Sequence, residues 1–285
     1  MSTDAPAGNT YVYDPESPVE MTRLIILDTI TTRAMGGPLT GIPQTADMYD
    51  ILDLACGPGG WVLDVAFTFP HIDVAGIDIS RTMVDYANAR ARSQGLANAS
   101  FGTMDITQPL DFAENTFDLV NARFLVVALQ RESWEPLIAE CLRVLRPGGI
   151  LRLTESVDIG VTNSQAFQEL QTMAYHLVWQ GGYGFSVNGK TFDSTHLLPR
   201  LLRKAGYQEV QYAAHALEFS RDTPAWADFY RNNEIAYRSQ SSKMSTSPDT
   251  QKEVEQWYQR MLAEMNLEEF CGMWHWMTIW GKKPS

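Results

Sequence analysis

Cysteine is scarce in this chain: three in 285 residues, at Cys56, Cys141 and Cys271, with no Cys-x-x-Cys pair. So odd and scattered a set excludes a disulfide framework or a thiolate metal knot and fits a reducing compartment, so a cytoplasmic protein without a metal is expected. Long apolar runs are missing too. None approaches the ~18–20 residues that a bilayer-spanning helix needs, and the polar N-terminus lacks the charged-then-apolar order of a secretory leader. Positive charge is in deficit, with 22 Lys and Arg against 34 Asp and Glu and a net charge of −12. Without a dense basic run, a phosphate backbone is repelled, so neither nucleic acid nor a membrane is an expected partner. No internal repeat or long low-complexity tract points to a solenoid.

What is present is organised around Tyr49 to Ser80. Ile51, Leu52 and Leu54 form a short apolar run that reads as a strand buried on both faces. It ends in Ala55-Cys-Gly57-Pro-Gly59-Gly60, small residues that let the backbone turn sharply and come close to a ligand. Trp61 to Phe69 then carries helical spacing, and Val74 to Ile77 reads as a second buried strand stopping at Asp78. A right-handed crossover between parallel strands brings Asp53 and Asp78 to one sheet edge. There Asp78 is placed to accept from both ribose hydroxyls of a nucleoside. The turn register is Gly57-x-Gly59-x-x-Val62, and a β-branched third position disfavours the dinucleotide pattern. Asp53 ahead of the turn suits a ligand bearing a positive amino group rather than phosphates. A nucleoside with a cationic amino-acid tail is S-adenosyl-L-methionine.

Asp53-Leu-Ala-Cys-Gly57-Pro-Gly59, Gly76-Ile-Asp78-Ile-Ser80, Met104-Asp105-Ile106 and Leu145-Arg-Pro-Gly-Gly149 together resemble the ordered motifs of class I S-adenosylmethionine-dependent methyltransferases. The likeness is to the small-molecule group that includes ubiquinone/menaquinone-type enzymes, and it covers Tyr49 to Glu155. Ala55 departs from it, since glycine is usual there. The resemblance implies a Rossmann-like α/β fold, a seven-stranded sheet with its last strand antiparallel, and a helical lid. It implies cofactor contacts from Asp53, Ala55, Gly57, Gly59, Asp78, Ile79 and Asn121, with Asp105 on the adenine amino group and Met104 and Ile106 stacked on the ring.

Three regions are expected: an N-terminal arm and cap helix (1–45), the cofactor-binding core (46–160), and a C-terminal part (161–285) carrying a lid at about 221–270. The polar segment 1–10 reads as disordered and Val19 to Ala34 as a helix; Tyr11 and Tyr13 are candidates to cover the cofactor or are simply exposed on a docked arm. Strands are expected at Ala99–Asp105, Thr116–Phe124, Ile150–Thr154, Gln208–Phe219 and Trp276–Gly281, and helices at Arg81–Gly95, Trp134–Leu145, Gln165–Gln180 and Ser194–Ala205. In the insertion, Thr223-Pro224 and Ser247-Pro248 each carry an N-cap followed by an N1 proline, around a hinge at Ser239–Ser247.

Asn121, His176 and Glu155 are candidates at the reacting end, Glu155 as a general base, although each also fits a structural role. Tyr13, Phe124, Trp179, Trp226 and Tyr230 are candidates to line an acceptor pocket. Asn121-Ala-Arg-Phe124 lacks the paired prolines that mark transfer to a nucleobase. The expected activity is in-line methyl transfer to a small, partly apolar or aromatic acceptor by a monomer or homodimer. An NAD-dependent oxidoreductase, or a non-catalytic protein that kept the cofactor motifs, is the alternative.

Overall fold

The apolar runs become strands because both of their faces are covered. β1 (Asp50–Leu54), β2 (Asp73–Asp78), β3 (Ala99–Thr103), β4 (Phe117–Arg123) and β5 (Leu145–Ser156) pair in parallel in the spatial order β3-β2-β1-β4-β5. β8 (Gly272–Lys282) runs antiparallel between β5 and β7 (Gln208–Glu218). The computed structural model describes residues 11–42, 45–241, 243–244 and 247–285. The polar segment 1–10 and positions 242, 245 and 246 of the expected hinge lie outside the described residues.

The doubly wound Rossmann-like sheet is the expected one, with one addition. A two-residue strand, β6 (Val161–Thr162), pairs with the start of β8 beyond the end of β5 and brings the count to eight. β8 is also longer than the expected Trp276–Gly281, because Met273 to His275 keep pairing with β7 after β5 has ended. The helices are α1 (Pro18–Ala34), α2 (Gly60–Thr68), α3 (Arg81–Gln94), α4 (Trp134–Val144), α5 (Gln165–Gln180), α6 (Leu198–Lys204), α7 (Trp226–Gln240) and α8 (Pro248–Glu264). On one sheet face Leu52, Val120 and Leu151 meet Leu137, Ile138 and Cys141 of α4 and Leu198 and Leu202 of α6. On the other, Ile51, Leu119 and Ile150 meet Trp61, Val62 and Val65 of α2. Further along, Trp274 and Trp276 of β8 carry a cluster that joins α1, α5, α7 and α8.

Caps explain which boundaries fell where expected. Ser80 accepts from the Met83 amide and Gly95 closes α3 at φ 70°, and Ser247 accepts from the Thr250 amide to start α8. Thr223-Pro224 does not start α7, which begins at Trp226. The Thr223 hydroxyl donates instead to the Ser220 carbonyl at 2.8 Å, closing the preceding turn. α6 begins at Leu198 rather than Ser194, with Pro199 in its first turn. Pro147 to Gly149 do not break away from the sheet. Gly148, at φ 79°, donates to the Lys283 carbonyl at 3.0 Å, and the Lys283 amide donates back to the Gly149 carbonyl at 2.8 Å, so β5 starts at Leu145.

Candidate functional site

Strand order reverses between β1 and β4, where crossovers leave in opposite directions and a crevice opens at the strand ends. A cavity begins there at Asp53, Ala55, Gly57, Pro58 and Gly60 and passes the end of β2 at Asp78 and Ile79. It continues past Arg123, Phe124 and Ser156 to α7 and Trp274.

The glycine turn is held by the acid across from it. Asp78 accepts from the Gly57 amide at 2.8 Å with one oxygen and from the Ser80 amide at 2.9 Å with the other. Burial pushes its carboxyl above the usual range, and those amides pull the other way. Gly59 caps α2 in the left-handed region (φ 78°), and a Cβ there would sit 2.6 Å from the Phe101 ring. Ala55 also takes a left-handed backbone (φ 51°) on the cavity wall, so the usual glycine is replaced at a position where alanine is strained.

Beneath the turn lies a buried polar row that crosses three strands in register. Asp53, Asn121 and Arg152 are direct neighbours on β1, β4 and β5. Asn121 Nδ2 donates to Asp53 at 2.7 Å, and Arg152 donates to Asn121 Oδ1 at 2.9 Å. Burial raises the Asp53 carboxyl to about 7, against the pull of Arg123 and the Asn121 hydrogen bond. Burial and the neighbouring Arg123 lower Arg152 to about 9. Arg123 itself pairs with Asp28 of α1 at 2.6 Å.

The expected residues divide cleanly. Asp53, Ala55, Gly57, Asp78, Ile79, Met104, Asp105 and Ile106 all line the cavity, with Tyr13 and Phe124 further along it. Asp105 sits just past β3, where it accepts from the Thr107 amide and hydroxyl at 2.9 and 2.8 Å. Gly59 and Asn121 lie behind the wall, Asn121 with its amide already spanning Asp53 and Arg152.

Glu155 and His176 are away from the cavity, contrary to their expected place at the reacting end. Successive strand residues point to opposite faces, so Glu155 faces away from Arg152 and Thr154. It is fully buried, accepting from the Leu125 and Val126 amides at 2.6 and 3.3 Å, and burial raises it to about 8. His176 is on the exposed face of α5, 2.9 Å from Gln180 and stacked on Trp179. Trp179 is tied to the Ser186 carbonyl at 2.8 Å, and Trp226 packs against Tyr230 with its indole donating to the Met265 carbonyl. None of these three aromatics reaches the cavity lining among the described residues.

Sequence reasoning missed Asp158, Asn233 and Trp274, which line it alongside Tyr237. Phe124 has a left-handed backbone (φ 56°) that turns its ring onto Trp274, the rings 5.5 Å apart and 28° from parallel. The one available signal for the α7 residues was polar Asn233 between Phe229 and Tyr237 on a four-residue apolar spacing.

Among the described residues no helix is long and apolar enough to cross a membrane, and no group of His, Cys, Asp and Glu suits a metal ion. Residues 51–149 match the family model described as a methyltransferase domain. The demethylmenaquinone methyltransferase of Lactococcus lactis subsp. lactis is 25% identical over 195 residues, 63% of this chain and 71% of that one. Phosphoethanolamine N-methyltransferase 1 of Triticum aestivum is 30% identical over 160 residues, 56% of this chain but 28% of its own length. In fold, the chain is similar to Haemonchus contortus phosphoethanolamine N-methyltransferase 2 in complex with phosphomonomethylethanolamine and S-adenosylhomocysteine. That match has a TM-score of 0.52 at 19% identity, covering 93% of this chain and 52% of the other. The chain is a class I S-adenosylmethionine-dependent methyltransferase. Within that class it stands with the small-molecule enzymes, and none of the three comparisons favours an oxidoreductase.

Proposed function

We propose that this protein methylates a small, largely apolar or aromatic acceptor, held at the far end of the cavity from the glycine turn. The observation that carries the reading is continuity: one cavity joins Gly57 and Asp78 to an aromatic wall of Phe124, Phe229 and Trp274. The donor set fits S-adenosylmethionine. Asp53, Asp78 and Asp105 line the near end, while the cations lining the cavity, Arg23 and Arg123, are already paired with Glu20 and Asp28 at 2.6 Å each. Carboxylates without a free cation suit a positively charged nucleoside and repel a diphosphate.

The bound cofactor would supply a methyl group on a sulfonium whose thioether leaves without needing a proton. The residues proposed to hold it are Asp78 on the ribose hydroxyls, Asp53 on the amino group, Asp105 on the adenine and Met104 and Ile106 flanking the ring. Asn121 and Arg152 would act through Asp53 by fixing its orientation. The chain's main task is then alignment and exclusion of water, which Phe124 and Trp274 serve by walling the path between the two ends. Where the nucleophile starts protonated, Asp158 is a carboxylate in the cavity lining able to take the proton; Glu155 has both oxygens occupied by amides.

Of the acceptors named for the relatives, the quinone type accords better with this wall than phosphoethanolamine, whose phosphate would need a free cation. The acid excess and three free cysteines accord with a cytoplasmic enzyme that does not act on nucleic acid. The test is formation of S-adenosylhomocysteine from S-adenosylmethionine with hydroquinones, phenols or phosphoethanolamine as acceptor. Turnover is expected with the aromatic acceptors; turnover of phosphoethanolamine alone would refute the apolar reading.

A further inference from the structure

We infer that Asn233 and Tyr237 form an acceptor-recognising pair that selects a flat apolar molecule by a hydroxyl group on it. The inference rests on the methyltransferase reading above and adds the class of acceptor. Both side chains are buried, both line the cavity, and they lie one turn apart on the same face of α7.

The orientation of Asn233 is fixed by chemistry. Its Nδ2 donates to the Phe229 carbonyl at 2.8 Å, and since a main-chain carbonyl can only accept, the nitrogen must face the helix. The amide oxygen is left with its lone pairs and, among the described residues, no hydrogen-bond partner; the Tyr237 hydroxyl has none either. Native proteins leave few buried polar atoms unpaired, and two such atoms on neighbouring residues that line one cavity mark a place where a ligand completes them. Burial, with Tyr13 nearby, pushes the Tyr237 phenol far above its ordinary value, so it stays a neutral donor.

The pair therefore offers one acceptor and one donor. An ether or ketone can satisfy only the tyrosine, and an ammonium only the asparagine. A hydroxyl satisfies both, donating to Asn233 and accepting from Tyr237. The surroundings set the rest of the molecule. Phe229 lies 5.8 Å from Trp274, and Phe124 stacks on the same indole, which favours a flat ring over a branched aliphatic body. Arg23, the nearest cation lining this end, is engaged twice by Glu20, at 2.8 and 2.6 Å, and so offers no partner to an anionic head group.

The test uses 2-naphthol and its ether, 2-methoxynaphthalene, titrated calorimetrically into the full chain saturated with S-adenosylhomocysteine. 2-Naphthol is expected to bind about tenfold more tightly than the ether, the size of effect produced by leaving one buried acceptor, the Asn233 oxygen, unpaired. Asn233→Leu should bring the two affinities to within about threefold by weakening naphthol binding with the ether unaffected, whereas Tyr237→Phe, whose hydroxyl donates to either oxygen, should weaken both compounds by a similar factor. Should Asn233→Leu fail to fold, Tyr237→Phe decides through the expected loss of affinity for both compounds. Equal affinities in the unaltered protein, saturable binding of neither compound, a preference that survives Asn233→Leu, or affinities unmoved by Tyr237→Phe would overturn the inference. Thermal stabilisation by S-adenosylhomocysteine is measured first. Its absence overturns the methyltransferase reading and this inference with it, whereas its presence with indifference to the hydroxyl overturns the inference alone.

Discussion

Near the glycine turn, residues 53–107 supply much of the cavity wall in a single run of alternating strands and helices, and backbone amides do much of the holding. At the aromatic end the wall is assembled from α1, the end of β4, the segment after β5, α5, α7 and β8. A ligand shared by a whole class can be met by one local unit, because its recognition needs only strand ends and a turn. An acceptor that differs from protein to protein is met by side chains whose proximity depends on the complete fold.

The sharpest way to sever the near end is Asp78→Ala. It removes a carboxylate that fixes both Gly57 and Ser80, and cofactor affinity should fall by at least about a hundredfold. Thermal shift should then show no stabilisation by S-adenosylhomocysteine, whereas the unaltered protein is expected to be stabilised by it and not by NAD. Trp274→Ala acts on the other end. Turnover of an aromatic acceptor should drop by roughly ten- to a hundredfold while cofactor affinity, measured by calorimetry, stays within about twofold. Equal loss of both would erase the division between the ends.

Gly60→Ala should damage both ends together. A Cβ there would lie 1.8 Å from Asp28 Oδ2, forcing apart the Asp28–Arg123 pair that fastens α1 to β4. Denaturant unfolding should show a loss of about 2 kcal/mol. Smaller still is the effect of pH on the near end. With the Asp53 carboxyl raised to about 7, its protonated form is the one the free fold favours. That contribution to stability is fully present below the unfolded value of 3.8 and is lost as pH rises through about 7. A cationic ligand prefers the ionised form, so affinity for S-adenosylmethionine should climb about tenfold from roughly pH 6 to 8. Asp53→Asn should flatten that rise. The smallest expected change is Ala55→Gly, which relieves a left-handed alanine and should gain no more than about 1 kcal/mol by thermal melting.

How much of this was legible in the sequence follows the same division. β1, the turn and β2 announce themselves because buried strands, glycines and terminal acids are adjacent in the chain. The strain at Ala55 (φ 51°) was visible only as an unusual residue type, since its meaning requires a backbone angle. On α7 the sequence drew attention to Trp226 and Tyr230, large aromatics that in fact pack on each other away from the cavity. The face that matters holds Phe229, Asn233 and Tyr237, and which side of a helix meets a ligand is set by where α1 and β8 lie. Asn121 was placed in the right strand position and given a direct contact. The structure instead uses its amide to join an acid to an arginine, a partner thirty-one residues away that no local pattern links to it. Glu155 failed for a simple geometric reason, being one residue out of phase with the face that carries Arg152.

The segment just before α1 lines this cavity through Tyr11, Val12, Tyr13 and Pro15. The Val12 amide donates to the Val127 carbonyl at 3.1 Å, Gln240 and Lys243 reach back to the Val12 carbonyl, and the Glu16 carboxylate receives the Thr82 amide at 3.3 Å. Its anchors thus touch α3 on one side and α7 on the other. If a spent cofactor leaves on this side, these anchors must unfasten first, and their rate of opening would then cap turnover whatever the speed of the transfer step.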